Sequence, residues 1–179
     1  MKKTVQSLIE AMDTLPKKKL MHTLISAEQI SIPDLARNAK MSVPTATKIV
    51  NDLLEKHFLT ELGKHDNGLG RLPMMYGLNP ACGYFLGVDP CHNALNLCLT
   101  DFAGEVKDIR IGIPFHLDNT PKGFDELCKL TKDYILEKGL DEGSLFKACV
   151  NISGRVSPRI GCSYSTYAFE DNLADSFTE

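Results

Sequence analysis

Residues 31–54 read SIPDLARNAKMSVPTATKIVNDLL, and this stretch indicates the fold of the first half of the chain. Ser31 begins a predicted capping box, because the acidic residue three positions later can return a hydrogen bond to the Ser31 N–H. The spacing of apolar residues predicts a short helix over residues 32–38 and a second helix over residues 43–57, capped by Ser42. Two capped helices joined by a three-residue turn are typical of a helix-turn-helix.

The second predicted helix has an apolar face and a polar face. The apolar residues expected to face the core are Ala46, Ile49, Val50, Leu53 and Leu54. A helix that enters the major groove of DNA is apolar behind and carries small or hydrogen-bonding side chains in front. The candidate DNA-binding residues on the polar face are Ser42, Pro44, Thr45, Thr47, Lys48 and Asn51. We expect Thr45, Thr47 and Asn51 to reach base edges, and Ser42 and Lys48 to hold phosphates.

Two short strands are predicted after this helix, over residues 58–62 and 72–78. The segment between them, residues 63–71, is rich in glycine and basic residues, which is typical of the wing of a winged helix. Lys64 and Arg71 are candidate DNA-binding residues here, since a guanidinium is attracted to the negative potential of a narrow minor groove. A plain solvent-exposed hairpin is the alternative.

Two further helices are predicted upstream, one beginning near Lys3 and one over residues 17–26. The side chains of the latter that are expected to face inward are Leu20, Leu24 and Ile25. Its first turn carries three lysines, residues 17–19, which oppose the helix dipole. They fit either a solvated charge run or a surface that faces phosphate.

Composition and charge suggest two domains. The 179 residues are 43% hydrophobic and 24% charged, as in an ordinary globular protein. The net charge of −3 hides an asymmetry, because residues 1–80 hold 11 Lys and Arg against 8 Asp and Glu, whereas residues 81–179 hold 9 against 15. We therefore expect a first domain over 1–80 that suits a polyanion, and a second over 81–179. No apolar run approaches the roughly 20 residues of a membrane span, and no signal-peptide core is visible, so we expect a cytoplasmic protein.

The six cysteines are spaced singly, without a CxxC pair. This pattern fits thiols in a reducing compartment. Cys91 and His92 are adjacent, but neighbouring residues rarely share a metal ion, and no second pair of ligands is visible. The sequence therefore predicts no metal site and no cofactor in this chain.

The second half follows a β-β-β-α-β order, which predicts an α/β domain. Its predicted elements are strands over residues 84–89, 94–100 and 105–115, a helix over 121–138 and a strand over 145–152. A loop is expected next, followed by a helix that begins near Leu173. The pattern stops at Glu179 within this element, so we expect the second domain to be incomplete.

The two halves together resemble the ROK family (repressors, open reading frames and sugar kinases), in its branch of transcriptional repressors. The helix-turn-helix residues 32–54 and five short motifs carry the resemblance. These motifs are Gly70-Arg71-Leu72-Pro73, Leu78-Asn79-Pro80, Gly83-Tyr84-Phe85-Leu86-Gly87-Val88-Asp89, Asp101-Phe102-Ala103-Gly104-Glu105-Val106 and Ile152-Ser153-Gly154-Arg155-Val156. Each motif is loose, and their order and spacing make the match specific.

The resemblance implies a winged helix-turn-helix followed by a partial actin-like, ribonuclease-H-like α/β lobe. It also implies a sugar or sugar-phosphate effector, and homodimers on pseudo-palindromic operators in double-stranded DNA. The family's catalytic Asp and its zinc motif lie further along than this chain reaches. Four residues at strand ends are candidate effector-binding residues, although ordinary turns explain them equally well. They are Asp89, Asn151, Ser153 and Gly154.

The chain departs from the family's kinases after the first strand of the second domain. The kinases have a Gly-rich turn there, whose backbone N–H groups cradle ATP phosphates. Here Asp89 is followed by Pro90-Cys91-His92-Asn93, and Pro90 has no N–H to donate. We therefore predict a repressor without catalytic residues, controlled by a sugar or sugar phosphate. A sugar kinase with an added N-terminal module and a winged helix that binds proteins remain the alternatives.

Overall fold

The computed structural model describes residues 10–64, 72–141, 143–157, 159 and 162–167. The described residues of Met1–Tyr84 and Thr100–Glu105 form one compact unit, and those of Phe85–Leu99 and Val106–Glu179 form a second. Among these residues, no helix combines the length and apolar character that a membrane crossing requires.

The first unit combines helices with a small sheet. Its elements are α1 (Leu15–Ala27), β1 (Ile30–Ser31), α2 (Ile32–Asn38), α3 (Val43–Glu55), β2 (Leu59–Lys64), β3 (Met74–Leu78) and a 3-10 turn (Pro80–Cys82). The sheet has the order β1-β3-β2, with both pairings antiparallel. Helix-turn-helix and sheet together make a winged helix, as the sequence predicts.

The core of α1 differs in one residue from the prediction. Leu20 and Leu24 are buried as expected, but Ile25 is 63% exposed and Met21 is buried instead. The reason is helical geometry, because Met21 is three residues from Leu24 on one face, whereas Ile25 is turned about 100° from Leu24. The helix predicted to begin near Lys3 lies mostly outside the described residues.

Local capping sets the bounds of α2. The Ser31 hydroxyl accepts a hydrogen bond from the Asp34 N–H at 3.4 Å, and donates one to the Asp34 carboxylate at 2.6 Å. The expected return bond to the Ser31 N–H is therefore wrong, since the carboxylate bonds the hydroxyl instead. Ser31 also belongs to β1, opposite Met75. A two-residue strand has too little alternation to be recognised in the sequence, and it was not predicted.

The apolar face of α3 forms the centre of the first unit. Ala46, Val50 and Leu53 are fully buried and Ile49 is nearly so, whereas Leu54 is only half-buried. The helix ends at Glu55, two residues before the predicted end. His57 has a left-handed backbone (φ 59°), and the Phe58 N–H donates to the Leu53 carbonyl at 2.9 Å. This αL cap terminates the helix.

The second unit is a sheet with one long helix. The elements that lie wholly or mostly in it are β4 (Tyr84–Cys91), β5 (Ala94–Asp101), β6 (Val106–Pro114), α4 (Pro121–Glu137), β7 (Leu145–Val150), β8 (Val156–Ser157) and β9 (Cys162–Ser163). The sheet order is β6-β5-β4-β7, and β8 pairs with β9.

The predicted element order of the second unit is correct, with local differences. The first strand was predicted to end at Asp89, but β4 continues through the buried Pro90 to Cys91. The fixed φ of proline is compatible with an extended strand. The loop expected after β7 contains the short hairpin β8–β9, and the helix predicted near Leu173 lies outside the described residues.

Candidate nucleic-acid interface

The N-terminus of α3 is held by its cap. The Ser42 hydroxyl oxygen accepts a hydrogen bond from the Thr45 N–H at 3.3 Å, and the two hydroxyls lie 2.8 Å apart. Both residues are exposed. The first turn of the helix is therefore fixed by its own side chains, while its outer surface stays accessible.

The outward face of α3, which we define as Pro44, Thr45, Thr47, Lys48 and Asn51, is polar. All of these except the half-buried Thr47 are exposed. The Thr47 hydroxyl donates to the Val43 carbonyl at 2.9 Å, so it offers a partner only acceptor capacity and its methyl group. The side chains of Lys48 and Asn51 have no hydrogen bond or ion pair with any residue in the described part of the chain. Their polar groups are free to bind an external partner.

The turn of the helix-turn-helix is a Schellman motif with an unusual residue. The Met41 N–H donates to the Ala36 carbonyl at 2.9 Å, and the Lys40 N–H to the Arg37 carbonyl at 3.2 Å. Lys40 occupies the left-handed position at φ 55°, where glycine is usual. Lys40 is exposed and places a cation on the turn. This candidate was not predicted from the sequence, where only its basic side chain points to it.

Lys17, in the run of lysines 17–19, has a structural role. Its ammonium lies 3.1 Å from the Asp52 carboxylate of α3 and 3.3 Å from Asp13. Lys56 binds the same Asp52 carboxylate at 2.8 Å. The hydrogen bond from Lys56, followed by that from Lys17, holds the pKa of Asp52 below its ordinary value. Lys17 thus ties α1 to α3, whereas the next two lysines are exposed.

The structure describes only the beginning of the wing. Lys64 ends β2 and is exposed. Arg71 and the rest of the segment over residues 65–71 lie outside the described residues. Gly77 in the adjacent strand β3 is required by close packing, since a Cβ atom there would lie 2.8 Å from the Glu28 carbonyl oxygen and from Leu62 Cδ1.

In the second unit, Asp89 and Asn151 come together at neighbouring strand ends. The Asn151 side-chain amide donates to one Asp89 carboxylate oxygen at 2.7 Å, and the Asn96 amide to the other at 3.3 Å. These two bonds, in that order of strength, lower the pKa of Asp89 from its ordinary value. Burial and the neighbouring Asp89 charge raise the pKa of the Cys91 thiol, which stays protonated near neutral pH.

The other two candidate effector residues contact a different segment. The Ser153 carbonyl accepts a hydrogen bond from the Thr166 hydroxyl at 3.1 Å. Gly154 has φ 110°, and a Cβ atom there would collide with the Ser165 hydroxyl. Within the described residues, the structure pairs Asp89 with Asn151, bonds Ser153 to Thr166 and places Gly154 close to Ser165.

These features define a class: a winged helix-turn-helix joined to an α/β lobe of β-β-β-α-β order. A crystal structure of a ROK family transcriptional regulator, a homologue of the E. coli MLC protein, has the same fold, with a TM-score of 0.63 and 17% identity over 89% of this chain and 40% of that chain. This likeness confirms the fold predicted for both halves.

Two curated relatives carry the comparison from fold to family. The chain is 26% identical over 90 residues to the putative xylose repressor of Caldicellulosiruptor sp., and the matched segment covers 50% of this chain and 23% of that protein. It is 26% identical over 122 residues to the xylose repressor of Bacillus spizizenii, and this match covers 68% of this chain and 29% of that protein. The matches thus span less than a third of either relative. No family model matches the chain. The relatives confirm the resemblance to repressors of the ROK family.

Proposed function

We propose that this chain contains the DNA-binding part of a sequence-specific transcriptional repressor. The observation that carries the proposal is the outward face of α3. Its lysine and asparagine, Lys48 and Asn51, are exposed and unbonded among the described residues, while the opposite face is buried. An exposed helix face of this kind is suited to the major groove, where base edges present hydrogen-bonding groups. The repressors among the relatives support the same assignment.

Each residue of the interface then has a distinct role. Asn51 and Thr45 read base edges, and Thr47 contributes its methyl group and an acceptor. Lys48 and Ser42 hold phosphates, and the N-terminal end of the helix dipole adds to this attraction. Pro44 packs against the groove wall, Lys64 and Arg71 contact the backbone from the wing, and Lys40 adds a phosphate contact from the turn.

In this proposal, residues 1–80 bind DNA and residues 81–179 are part of a ROK-type effector-binding domain. The effector is a sugar or sugar phosphate, with xylose the first to test because the relatives are named as xylose repressors. Asp89, Asn151, Ser153 and Gly154 are its candidate contacts. Effector binding would alter operator affinity by linkage. The functional form is a homodimer on a pseudo-palindromic operator, and no catalytic residue is assigned.

The test begins with selection of bound duplexes from a random DNA pool. The affinity for the selected duplex is then measured as a function of salt concentration, for the unaltered chain, Lys48→Ala and the matched control Lys129→Ala on α4. The slope of log K against log salt is negative, and loss of one phosphate contact makes it less steep by about 0.9. We expect this change for Lys48→Ala and none for Lys129→Ala.

Two outcomes would favour the alternatives. If no duplex binds with salt-sensitive affinity, the winged helix serves protein interaction instead. If the chain binds ATP at millimolar concentration, the sugar-kinase alternative regains support. The effector proposal is tested by adding xylose, other sugars and their phosphates to the complex of the whole protein with DNA, and an affinity that none of them changes would contradict it.

A further inference from the structure

Two histidines from distant parts of the sequence lie side by side on the second unit. His92 is in the turn between β4 and β5, and His116 follows β6. Their ring centres are 5.4 Å apart, and the ring planes are inclined at 65°. Both side chains are exposed, so an ion from solution can reach them.

The separation of the rings fits a shared metal ion. Two imidazoles that bind one Zn²⁺ at nitrogen distances of about 2.0–2.1 Å, with a tetrahedral angle between them, have ring centres about 5.2 Å apart. The observed 5.4 Å is close to this value. The ring planes are inclined at 65°, so the two rings are not stacked face to face.

A neighbouring side chain prepares His116 for such a role. His116 Nδ1 lies 3.0 Å from Asn93 Oδ1. A carbonyl oxygen only accepts hydrogen bonds, so this contact favours the tautomer with the proton on Nδ1, in which Nε2 is the metal-binding nitrogen. Metal-binding histidines usually donate their second ring N–H to an oxygen in this way. The Leu117 N–H also donates to the His92 carbonyl at 3.0 Å, which holds the two segments together.

We propose that His92 and His116 bind one divalent transition-metal ion, of the Zn²⁺ type, through two imidazole nitrogens, with water completing the coordination. The described residues include no group of three or more His, Cys, Asp and Glu side chains that could hold a metal ion, so the site has two protein ligands and open positions. Cys91 precedes His92 in the sequence but its sulfur lies 3.5 Å from an Asp89 carboxylate oxygen, so it is not part of this pair.

Zinc titration followed by calorimetry tests the proposal on the full chain, kept reduced and freed of metal beforehand. We expect one ion per chain. His92→Ala and His116→Ala should each weaken binding at least tenfold, whereas the control His22→Ala, which removes an exposed histidine from α1, should leave it unchanged. Asn93→Ala keeps both ligands but removes the orienting oxygen, and should weaken binding by about tenfold. Thermal unfolding in EDTA checks that each variant is folded.

Co²⁺ distinguishes histidine from cysteine ligands, because thiolate ligands produce a sulfur-to-metal charge-transfer band. We expect a cobalt complex without this band. The proposal is overturned if zinc does not bind at millimolar concentration, if the His92→Ala/His116→Ala double variant binds as tightly as His22→Ala, or if the cobalt complex of the unaltered chain shows thiolate ligands only.

Discussion

The outward face of α3 and the Asp89 cluster are both polar, but they differ in what their side chains already bind. Lys48 and Asn51 have no partner among the described residues. Asp89, in contrast, is bound by Asn151 and Asn96 at 2.7 and 3.3 Å. A partner of the α3 face adds new hydrogen bonds, whereas a ligand at Asp89 must replace existing ones. The α3 face and the Asp89 cluster therefore differ in free hydrogen-bonding capacity more than in polarity.

The largest expected effect is on stability, from a substitution in the buried face of α3 that leaves the outward face unchanged. Leu53→Ala leaves a cavity beneath α3, because Leu53 is 0% exposed. We expect the free energy of unfolding to fall by about 3 kcal/mol. The matched control Ile25→Ala, at a 63% exposed site, should change it by no more than about 0.5 kcal/mol. Urea denaturation measures both, and equal effects would mean that the core is placed wrongly.

The second prediction compares two asparagines directly. Asn51→Ala should cost about 1–3 kcal/mol of discrimination at one base pair, because a side chain that reads a base edge is lost. Asn151→Ala should leave base preference unchanged. Binding to a library of single-base variants of the selected duplex measures both. An unaltered preference in Asn51→Ala would remove the base-reading role of this residue.

A third prediction concerns the strained lysine of the turn. Lys40→Gly should raise the free energy of unfolding by about 0.5–1 kcal/mol, since glycine adopts the left-handed conformation without the steric cost of a side chain. The same change should weaken DNA binding, because one cation near the phosphates is lost. Opposite signs in denaturation and binding support the proposed contact. A variant that gains stability and keeps its DNA affinity would show that Lys40 has no part in the interface.

The smallest effect is expected at Asp89 itself. Its hydrogen bonds from Asn151 and Asn96 lower its pKa, so their contribution to stability is present above the ordinary aspartate pKa and is lost as the pH falls through the lower, folded value. Asn151→Ala should move the Asp89 pKa upward toward its ordinary value, so the loss of stability in acid should become smaller and should end at a higher pH. NMR titration of the Asp89 carboxyl carbon measures the shift, with the unaltered chain as the reference. An unchanged Asp89 titration would contradict the hydrogen bond.

Local signals explain which parts of the interface could be predicted. Helix α2 spans Ile32–Asn38, as expected. Ser31 caps α2 and Ser42 caps α3, each through the residue three positions later, so both helix starts are encoded locally. The left-handed Lys40 could not be predicted, since lysine has no preference for this conformation. The third strand, β1, was missed because its two residues become a strand only by pairing with β3.

The amino-acid sequence alone predicts the helix-turn-helix, the polar outward face of α3 and the β-β-β-α-β order of the second unit. These follow from capping, helical periodicity and strand alternation, which act over a few residues. Three pairs became visible only in the folded chain: Lys17 binds Asp52, Asn151 donates to Asp89, and His92 lies beside His116. Each of these pairs joins residues far apart in the chain, and no local pattern encodes which distant side chain folding will bring near.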